Sequence, residues 1–246
     1  MLNSAEVKRL ALEAGFDDCG IARADRLEDS EYPLREWLRR GWNASMGYME
    51  RNPDMRLDPR ILVPGARSVI CVVSAYPPPA SPGGTAAFAA IRDYHTELKS
   101  RLFLLRERLG IQAKPCVDTV PIADKYWAAR AGLGWIGRHT LLVTPRWGTW
   151  VNLGELVTPE ECTDYDSPLP PRGRCDACKR CVTACPNHAI APDGPPMLDA
   201  SRCISFHTTQ SKLPVPQDID TRGYTFGCDL CQLACPFNQS GDTARI

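Results

Sequence analysis

The sequence of 246 residues lacks a long apolar run and has no excess of either charge. Its apolar stretches, such as residues 68–76, are of strand length, whereas a helix that spans a bilayer needs ~20 apolar residues. The N-terminal residues have the pattern of an amphipathic helix, so we expect no secretory signal. Lysine plus arginine equals aspartate plus glutamate, 29 against 29, which excludes a polybasic nucleic-acid wrapper. We therefore expect a cytoplasmic protein with no membrane or DNA partner.

Histidine is also scarce, with four residues in the chain. His139, His188 and His207 each lack a second ligand at the spacing of a metal site. The composition is otherwise that of a globular protein, with 43% hydrophobic and 24% charged residues. Such a chain is long enough for one or two domains and is not expected to be disordered.

Cysteine, by contrast, is abundant, and its distribution is informative. Four of the twelve cysteines are isolated: Cys19, Cys71, Cys116 and Cys162. The other eight lie in the last third of the chain: Cys175, Cys178, Cys181, Cys185, Cys203, Cys228, Cys231 and Cys235. Disulfide frameworks are typical of small secreted chains, so clustered thiolates that bind a metal are the better interpretation.

The hydrophobic patterns before the clustered cysteines alternate between helix and strand, which predicts an α+β fold. Helices are predicted from the cap at Asn3 to Gly15 and at residues 34–41, 98–109 and 121–131. Strands are predicted at residues 18–22, 68–76, 111–117, 140–143 and 149–157, the last two as a hairpin through the turn at 145–148. A proline-rich linker near residues 167–173 divides the chain into predicted domains 1–168 and 169–246.

The spacing of the clustered cysteines predicts two [4Fe-4S] clusters. The first run reads C-x2-C-x2-C-x3-C-P, in which the fourth cysteine binds the other cluster. The second run lacks one cysteine, and Cys203 is the nearby residue that can replace it. The predicted ligand sets are Cys175, Cys178, Cys181 and Cys235 for one cluster, and Cys185, Cys203, Cys228 and Cys231 for the other. Zinc knuckles are the alternative, since they share the C-x2-C element. Two clusters indicate one-electron transfer to the first 165 residues.

Two further motifs are incomplete. Residues 132–137 match G-x-G-x-x-G, but the predicted helix precedes them and the strand follows, the reverse of the dinucleotide-binding order. A tight helix-to-strand loop is the simpler interpretation. Asp93-Tyr94-His95 begins like the cobalt-binding D-x-H-x-x-G motif, but Leu98 replaces its glycine. We therefore expect His95 at the entry of a helix and not as a metal ligand.

Several motifs, in order along the chain, together resemble the epoxyqueuosine reductase family. They are MGYMER (46–51), RLDPR (56–60), PGARSVI (64–70), DYH (93–95), VDT (117–119), RAGLGWIG (130–137), LGE (153–155), RCISF (202–206) and GCD (227–229). The resemblance implies a nitroreductase-like cobalamin-binding domain followed by a ferredoxin-like module with two [4Fe-4S] clusters. It also implies reduction of the epoxide of epoxyqueuosine in tRNA to an alkene, with an external low-potential electron donor.

The resemblance also implies roles for individual residues. Asp118 matches the family's proton donor, a role suited to a carboxyl group whose pKa its site can raise. A helix cap before residues 121–131 is the alternative role. Arg56 would contact the corrin periphery, Leu142, Leu153 and Leu156 would line the ring, and Ser205 and Asp229 would approach it from the cluster module.

The sequence departs from the family pattern at Ile91, Val120 and Asn152, all near the expected substrate side. It also ends ten residues after Pro236, whereas family members continue, so we expect weak tRNA binding and a possible change to a smaller or different substrate. Two alternatives remain open: a ferredoxin-like electron carrier, and an activator that reduces the corrinoid of another protein.

Overall fold

The computed structural model describes residues 1–91, 93–170 and 175–238. Its helices are α1 (Ser4–Glu13), α2 (Glu28–Arg39), α3 (Pro53–Leu57), α4 (Pro59–Leu62), α5 (Tyr94–Leu109), α6 (Asp124–Arg130), α7 (Cys175–Cys178), α8 (Arg180–Ala184), α9 (Ile204–Thr209) and α10 (Leu230–Leu233). Its strands are β1 (Asp18–Arg23), β2 (Ser68–Ala75), β3 (Gly84–Thr85), β4 (Lys114–Cys116), β5 (Trp135–Ile136), β6 (Leu142–Val143), β7 (Val151–Thr158) and β8 (Tyr224–Phe226).

A four-stranded antiparallel sheet in the order β1-β2-β7-β4 forms the centre of the first part of the chain. Strand β2 is buried over its first six residues, because helices cover both faces of the sheet. One face packs against α1 and α5 through a cluster that includes Ile70, Leu102 and Leu156. The other face packs against α6, where Trp127 is completely buried. The α+β class predicted from the sequence is confirmed.

The predicted helices and strands of this domain are largely present, with shifted ends. The side chain of Asn3 caps α1 by accepting a hydrogen bond from the Glu6 N–H. Helix α5 begins four residues earlier than its leucine stripe, because Asp93 caps it. Helix α2 also begins early, at Glu28, whereas α6 begins late, at Asp124. The strand predicted at residues 111–117 is reduced to β4.

The predicted hairpin between residues 140–143 and 149–157 is wrong. Strand β6 pairs with β5, while β7 pairs with β2 over eight residues and with β4 on its other side. Only a bridge between Thr144 and Gly148 remains of the expected pairing. The reason is length, since β6 has two residues and the ladder between β2 and β7 satisfies many more backbone groups.

The glycine-rich segment at 132–137 connects α6 to β5, as expected for a helix-to-strand loop. Gly134 is required there by packing, because a Cβ at this position would lie 2.3 Å from the Val143 carbonyl oxygen. The glycines thus allow the close approach of two backbones, and the order of elements differs from that of a dinucleotide-binding unit.

The cysteine-rich segment consists of short helices and packs directly on the first part of the chain. Strand β8 pairs in parallel with β3, and the Trp37 indole N–H donates to the Leu198 carbonyl at 2.6 Å. Residues 171–173 of the predicted linker lie outside the described residues, and the domain boundary at 168/169 stays a prediction. No helix among the described residues is both long and apolar enough to cross a membrane.

Candidate active site

A cleft of about 840 Å³ lies between α2, the segment before α3, the segment that leads into α6, and part of the cysteine-rich segment. Arg56 and Asp118, two of the residues singled out in the sequence, both line it. Val120, one of the departures from the family pattern, lines it as well. Its volume is in the range of sites for large organic ligands.

Asp118 occupies a strained position beside the cleft. Its backbone is left-handed, with φ of 49°, a conformation that costs a non-glycine residue ~1–3 kcal/mol and that clusters at functional sites. Its carboxylate accepts hydrogen bonds from the Tyr94 hydroxyl at 3.5 Å and lies 3.2 Å from His95 Nε2. Helix α6 is capped by Ala123, so Asp118 does not cap it. The alternative structural role is therefore wrong.

His95 links this carboxylate to a second one. It is the second residue of α5, at the helix entry as expected, with Nδ1 2.9 Å from Asp93 and Nε2 3.2 Å from Asp118. Partial burial lowers the pKa of His95, but the two carboxylates outweigh that effect and raise it overall. Both ring nitrogens are thus engaged in hydrogen bonds, and the raised pKa of His95 favours the protonated form of the imidazole beside Asp118.

Arg56, in α3, presents an unsatisfied donor at the cleft. Its side chain is 9% exposed and one terminal nitrogen donates to the Tyr48 carbonyl at 3.2 Å. Its Nε has no hydrogen-bond partner among the described residues. Burial lowers the pKa of the guanidinium. A buried donor without a partner is costly, and a ligand with acceptor groups would satisfy it.

The other residues predicted to contact a corrin are not among the described residues that line the cleft. Leu142 and Leu153 belong to the layer between the sheet and α6. Leu156 is completely buried on the opposite face, against α1 and α5. Ser205 lies in α9, and the buried Asp229 accepts from the Ala87 N–H at 2.8 Å. Ile91 and Asn152 also lie away from the cleft.

The sequence analysis missed two charged residues of the cleft, Asp124 and Lys125. They open α6, where adjacent acidic and basic residues after a proline look like an ordinary exposed helix start. Asp124 lies beside Glu155 of β7, which stands in the sequence only as the last residue of the LGE motif (153–155). No local pattern connects residues on a helix and a distant strand, so only the fold brings these carboxyl groups together.

The first group of clustered thiols contains cysteines from both runs. Burial raises the pKa of Cys235, and the neighbouring Cys175 and Cys178 thiols raise it further. Burial likewise raises the pKa of Cys181 to about 11, with contributions from Cys175 and Cys235. Cys235 is therefore close to the three cysteines of the first run, as the crossover of the ferredoxin pattern predicts.

The second group lies beside the first. Burial raises the pKa of Cys228 to about 12, and the Cys203 and Cys185 thiols contribute. Burial also raises the pKa of Cys231 well above its usual range, and the thiols of Cys203, Cys228, Cys181 and Cys185 contribute. This division of the thiols matches the predicted ligand sets, with Cys181 and Cys231 at the approach of one group to the other. The assignment of ligands to clusters stays a prediction.

Backbone N–H groups point at the sulfur atoms of both groups. The Ala189 N–H donates to Cys185 Sγ at 3.3 Å. The N–H groups of Ser205 and Phe206 donate to Cys203, and that of Leu230 to Cys228. Such bonds stabilise the thiolate form and tune cluster potentials. Among the described residues, no three His, Cys, Asp or Glu groups converge as tightly as the ligands of one metal ion. A four-iron cluster spreads its thiolates over four iron atoms.

All twelve cysteines are free thiols, so there is no disulfide framework. Cys19, Cys71, Cys116 and Cys162 are buried in or beside the central sheet. Burial raises the pKa of each, so they remain protonated and behave as small apolar residues.

Lys125 connects the cleft to the clustered thiols. It lines the cleft, and its ammonium group interacts with the carboxylates of Asp124 and Asp118 and with the Cys231 thiol. Burial lowers its pKa. Among the clustered thiols of the described residues, that of Cys231 is the one that acts on the Lys125 ammonium group.

Comparison with known proteins agrees with this arrangement. Residues 174–238 match a family described as a 4Fe-4S double cluster binding domain, and residues 56–123 match one described as epoxyqueuosine reductase QueG. An epoxyqueuosine reductase of Leadbetterella byssophila is 39% identical over 96% of this chain and 80% of its own.

Solved structures show the same fold. A crystal structure of epoxyqueuosine reductase with an epoxyqueuosine-modified tRNA-Tyr stem loop is 30% identical, with a TM-score of 0.86 over 97% of this chain and 68% of that one. A catabolic reductive dehalogenase matches with a TM-score of 0.62 at 16% identity, over 97% of this chain and 32% of its own. The fold predicted from the resemblance is confirmed.

Proposed function

The chain belongs to the epoxyqueuosine reductase family, and on that premise we propose that it reduces the epoxide of epoxyqueuosine in tRNA to an alkene. The observation that carries the proposal is the position of Asp118 and the cysteine-rich segment around one cleft. Removal of an epoxide oxygen requires electrons and protons at the same place. The cluster module provides the electrons, and Asp118 provides a proton.

The donors of the cysteine-rich segment fit two [4Fe-4S] clusters. Two groups of four thiols, each with N–H groups directed at sulfur, support the assignment of Cys175, Cys178, Cys181 and Cys235 to one cluster and Cys185, Cys203, Cys228 and Cys231 to the other. Because Lys125 interacts with both Cys231 and Asp118, the cluster bound by Cys231 would be the one that passes electrons to the cleft. The cluster that includes Cys235 would receive them from an external low-potential donor.

The cleft fits cobalamin in two respects. Its volume suits a large ligand, and the unsatisfied Nε of Arg56 suits the amide or phosphate oxygens at a corrin periphery. Leu142, Leu153, Ser205 and Asp229 do not line this cleft, so Arg56 is the corrin contact that the cleft itself supports. Bound cobalamin would supply a strongly reducing cobalt centre. His95 has both ring nitrogens engaged with Asp93 and Asp118, so it is not among the residues that would hold the cofactor.

Asp118 would donate a proton to the oxygen of the opening epoxide. In its hydrogen bond with His95, the imidazole is the proton-bearing partner, because the pKa of His95 is raised by its two carboxylate neighbours. His95 would therefore restore the proton of Asp118 between turnovers. Asp93 would orient the imidazole from its other side through the contact with Nδ1.

Transfer RNA is the proposed partner, and the cytoplasm the proposed location. The relative crystallised with a tRNA stem loop supports the partner. The basic residues at the cleft include Arg51, Arg56 and Lys125, which suits contacts with phosphate. The overall net charge of zero leads us to expect weak binding.

The test is anaerobic conversion by protein that carries its clusters, with cobalamin and a low-potential reductant. The substrates are an epoxyqueuosine-containing tRNA stem loop and the free epoxyqueuosine nucleoside. Loss of one oxygen atom, measured by mass spectrometry, is expected for the stem loop. Conversion of the nucleoside alone would indicate a smaller substrate. Cluster-loaded protein that binds cobalamin but converts neither would overturn the proposal. If it binds no cobalamin, the electron carrier becomes the better interpretation.

A further inference from the structure

Glu155 is a buried acidic residue that the proposed function does not yet use. It lies in the middle of β7, with Cys71 of β2 and Cys116 of β4 opposite it in the sheet. Its side chain is 0% exposed, and neither carboxyl oxygen has a hydrogen-bond partner among the described residues. An ionised carboxylate in such surroundings would be very costly, so Glu155 holds a proton.

Asp124 connects this buried carboxyl group to the cleft. It is the first residue of α6, lines the cleft, and has one buried oxygen without a hydrogen-bond partner among the described residues. Burial raises the pKa of Glu155 well above its usual range, and the Asp124 charge raises it further. Burial also raises the pKa of Asp124. Neighbouring carboxyl groups that cannot both ionise share a proton.

The other titratable groups around the pair favour the same distribution. The Lys125 ammonium favours ionised Asp124, whereas the Asp118 carboxylate disfavours a charge on either member. Cys71 and Cys116 face Glu155 from the flanking strands, and burial keeps both thiols neutral. The proton therefore rests mainly on Glu155, deepest in the protein, and Asp124 is its route to the cleft.

The balance of the proposed reaction calls for such a proton. When an epoxide becomes an alkene, both carbon–oxygen bonds break and the oxygen leaves as water, which consumes two electrons and two protons. The electrons come through the clusters from the external donor, and Asp118 supplies one proton to form a hydroxyl group. One further proton must reach the same oxygen.

We propose that Asp124 and Glu155 hold this second proton, and that Asp124 donates it to the oxygen as it leaves as water. Asp124 is then a catalytic residue, while Glu155 is the reservoir that acts through it. The inference rests on the proposed function for its substrate, but the shared proton can be observed without turnover.

Infrared spectroscopy of the holoprotein tests the reservoir. The carbonyl stretch of a protonated, buried carboxylic acid should be present at pH 7, shift in D2O, and disappear in Glu155→Gln. It should persist in the control Glu107→Gln, which alters an exposed residue of α5. A spectrum without this band at pH 7, or a band that survives in Glu155→Gln, would overturn the proposal.

Turnover tests the donation step. Without the reservoir the second proton must come from solvent, so kcat of Glu155→Gln and Asp124→Asn should fall about tenfold per pH unit above neutrality, with KM unchanged. Asp124→Glu, which keeps the carboxyl group, should follow the wild-type profile, and both should lack this additional fall. If wild type reduces the epoxide and the two amide variants match its profile, this inference fails. If wild type does not reduce it, the proposed function fails instead.

Discussion

The buried proton of Glu155 should be measurable in the stability of the protein, independently of catalysis. Replacement by glutamine keeps the shape of the side chain and removes its ionisation. In the folded wild type the group stays protonated, because its pKa lies well above the ordinary 4.5. In the unfolded chain it ionises above that pH, so unfolding releases a proton. The folded state binds more protons, and the free energy of unfolding must fall as pH rises through this window.

The size of the effect follows from linkage. Each pH unit in the window removes ~1.4 kcal/mol from the free energy of unfolding for one proton. Between pH 5.5 and 7.5, wild type should therefore lose about 2.7 kcal/mol relative to Glu155→Gln. In a chain of this size that difference corresponds to roughly 5–10 °C in Tm. The variant should be the more stable protein at pH 7.5, and its advantage should shrink toward pH 5.5.

The assay is thermal unfolding of the anaerobic holoproteins, followed by circular dichroism at a series of pH values. Titrations of groups that do not interact with Glu155 cancel in the difference between wild type and variant, and the pH dependence left over belongs to the pair of Glu155 and Asp124. Glu107→Gln, at an exposed position of α5, serves as the matched control and should follow wild type at every pH. Parallel Tm curves for wild type and Glu155→Gln would refute the argument that Glu155 is folded with a proton.

Three further predictions concern the other functional residues. A fully loaded protein should hold about eight iron atoms, and Cys203→Ala should remove one cluster, which leaves about half of them, or convert that cluster, while Cys19→Ser should lose none. Iron analysis and the cysteinate charge-transfer band measure this. Unchanged iron in Cys203→Ala would contradict the ligand assignment. Asp118→Asn should keep clusters and corrinoid but slow epoxide reduction by roughly 10²–10⁴-fold in single-turnover assays; near-normal rates would exclude it as the proton donor. Binding of the tRNA stem loop should be weak with a shallow dependence on salt concentration, as measured by anisotropy titrations; tight binding at physiological salt would contradict this.

The features predicted correctly from the sequence are those that depend on local spacing. The cysteine runs carry the pattern of two clusters, because three ligands of each run lie within one or two turns of chain. The cap at Asn3 and the buried strand at residues 68–75 are also local properties. Asp118 was singled out through motifs shared with a family and not through any property of the residue alone; it lines the cleft, and its role as proton donor stays a prediction.

The features that were missed depend on contacts between distant segments. The pairing of β6 with β5 was mistaken for a hairpin with β7, because a two-residue strand carries no periodicity. The pair Asp124 and Glu155 joins the first turn of a helix to the middle of a strand, and neither residue stands out in its own segment. Leu156 could not be assigned to a face of the sheet before the register of β7 with β2 was known.

The parallel pairing of β3 with β8 has a consequence for how the protein is made. Gly84 and Thr85 are synthesised long before Tyr224 and Phe226, so β3 emerges from the ribosome without the partner that satisfies its backbone groups. The Ala87 N–H likewise has no hydrogen bond to the carboxylate of Asp229 until that residue has been synthesised. The N-terminal part thus reaches its final form only after the last cysteine run has been translated and folded. A chain whose last cysteine run does not fold around its clusters would therefore leave the backbone groups of β3 without their partner and open to proteases and aggregation.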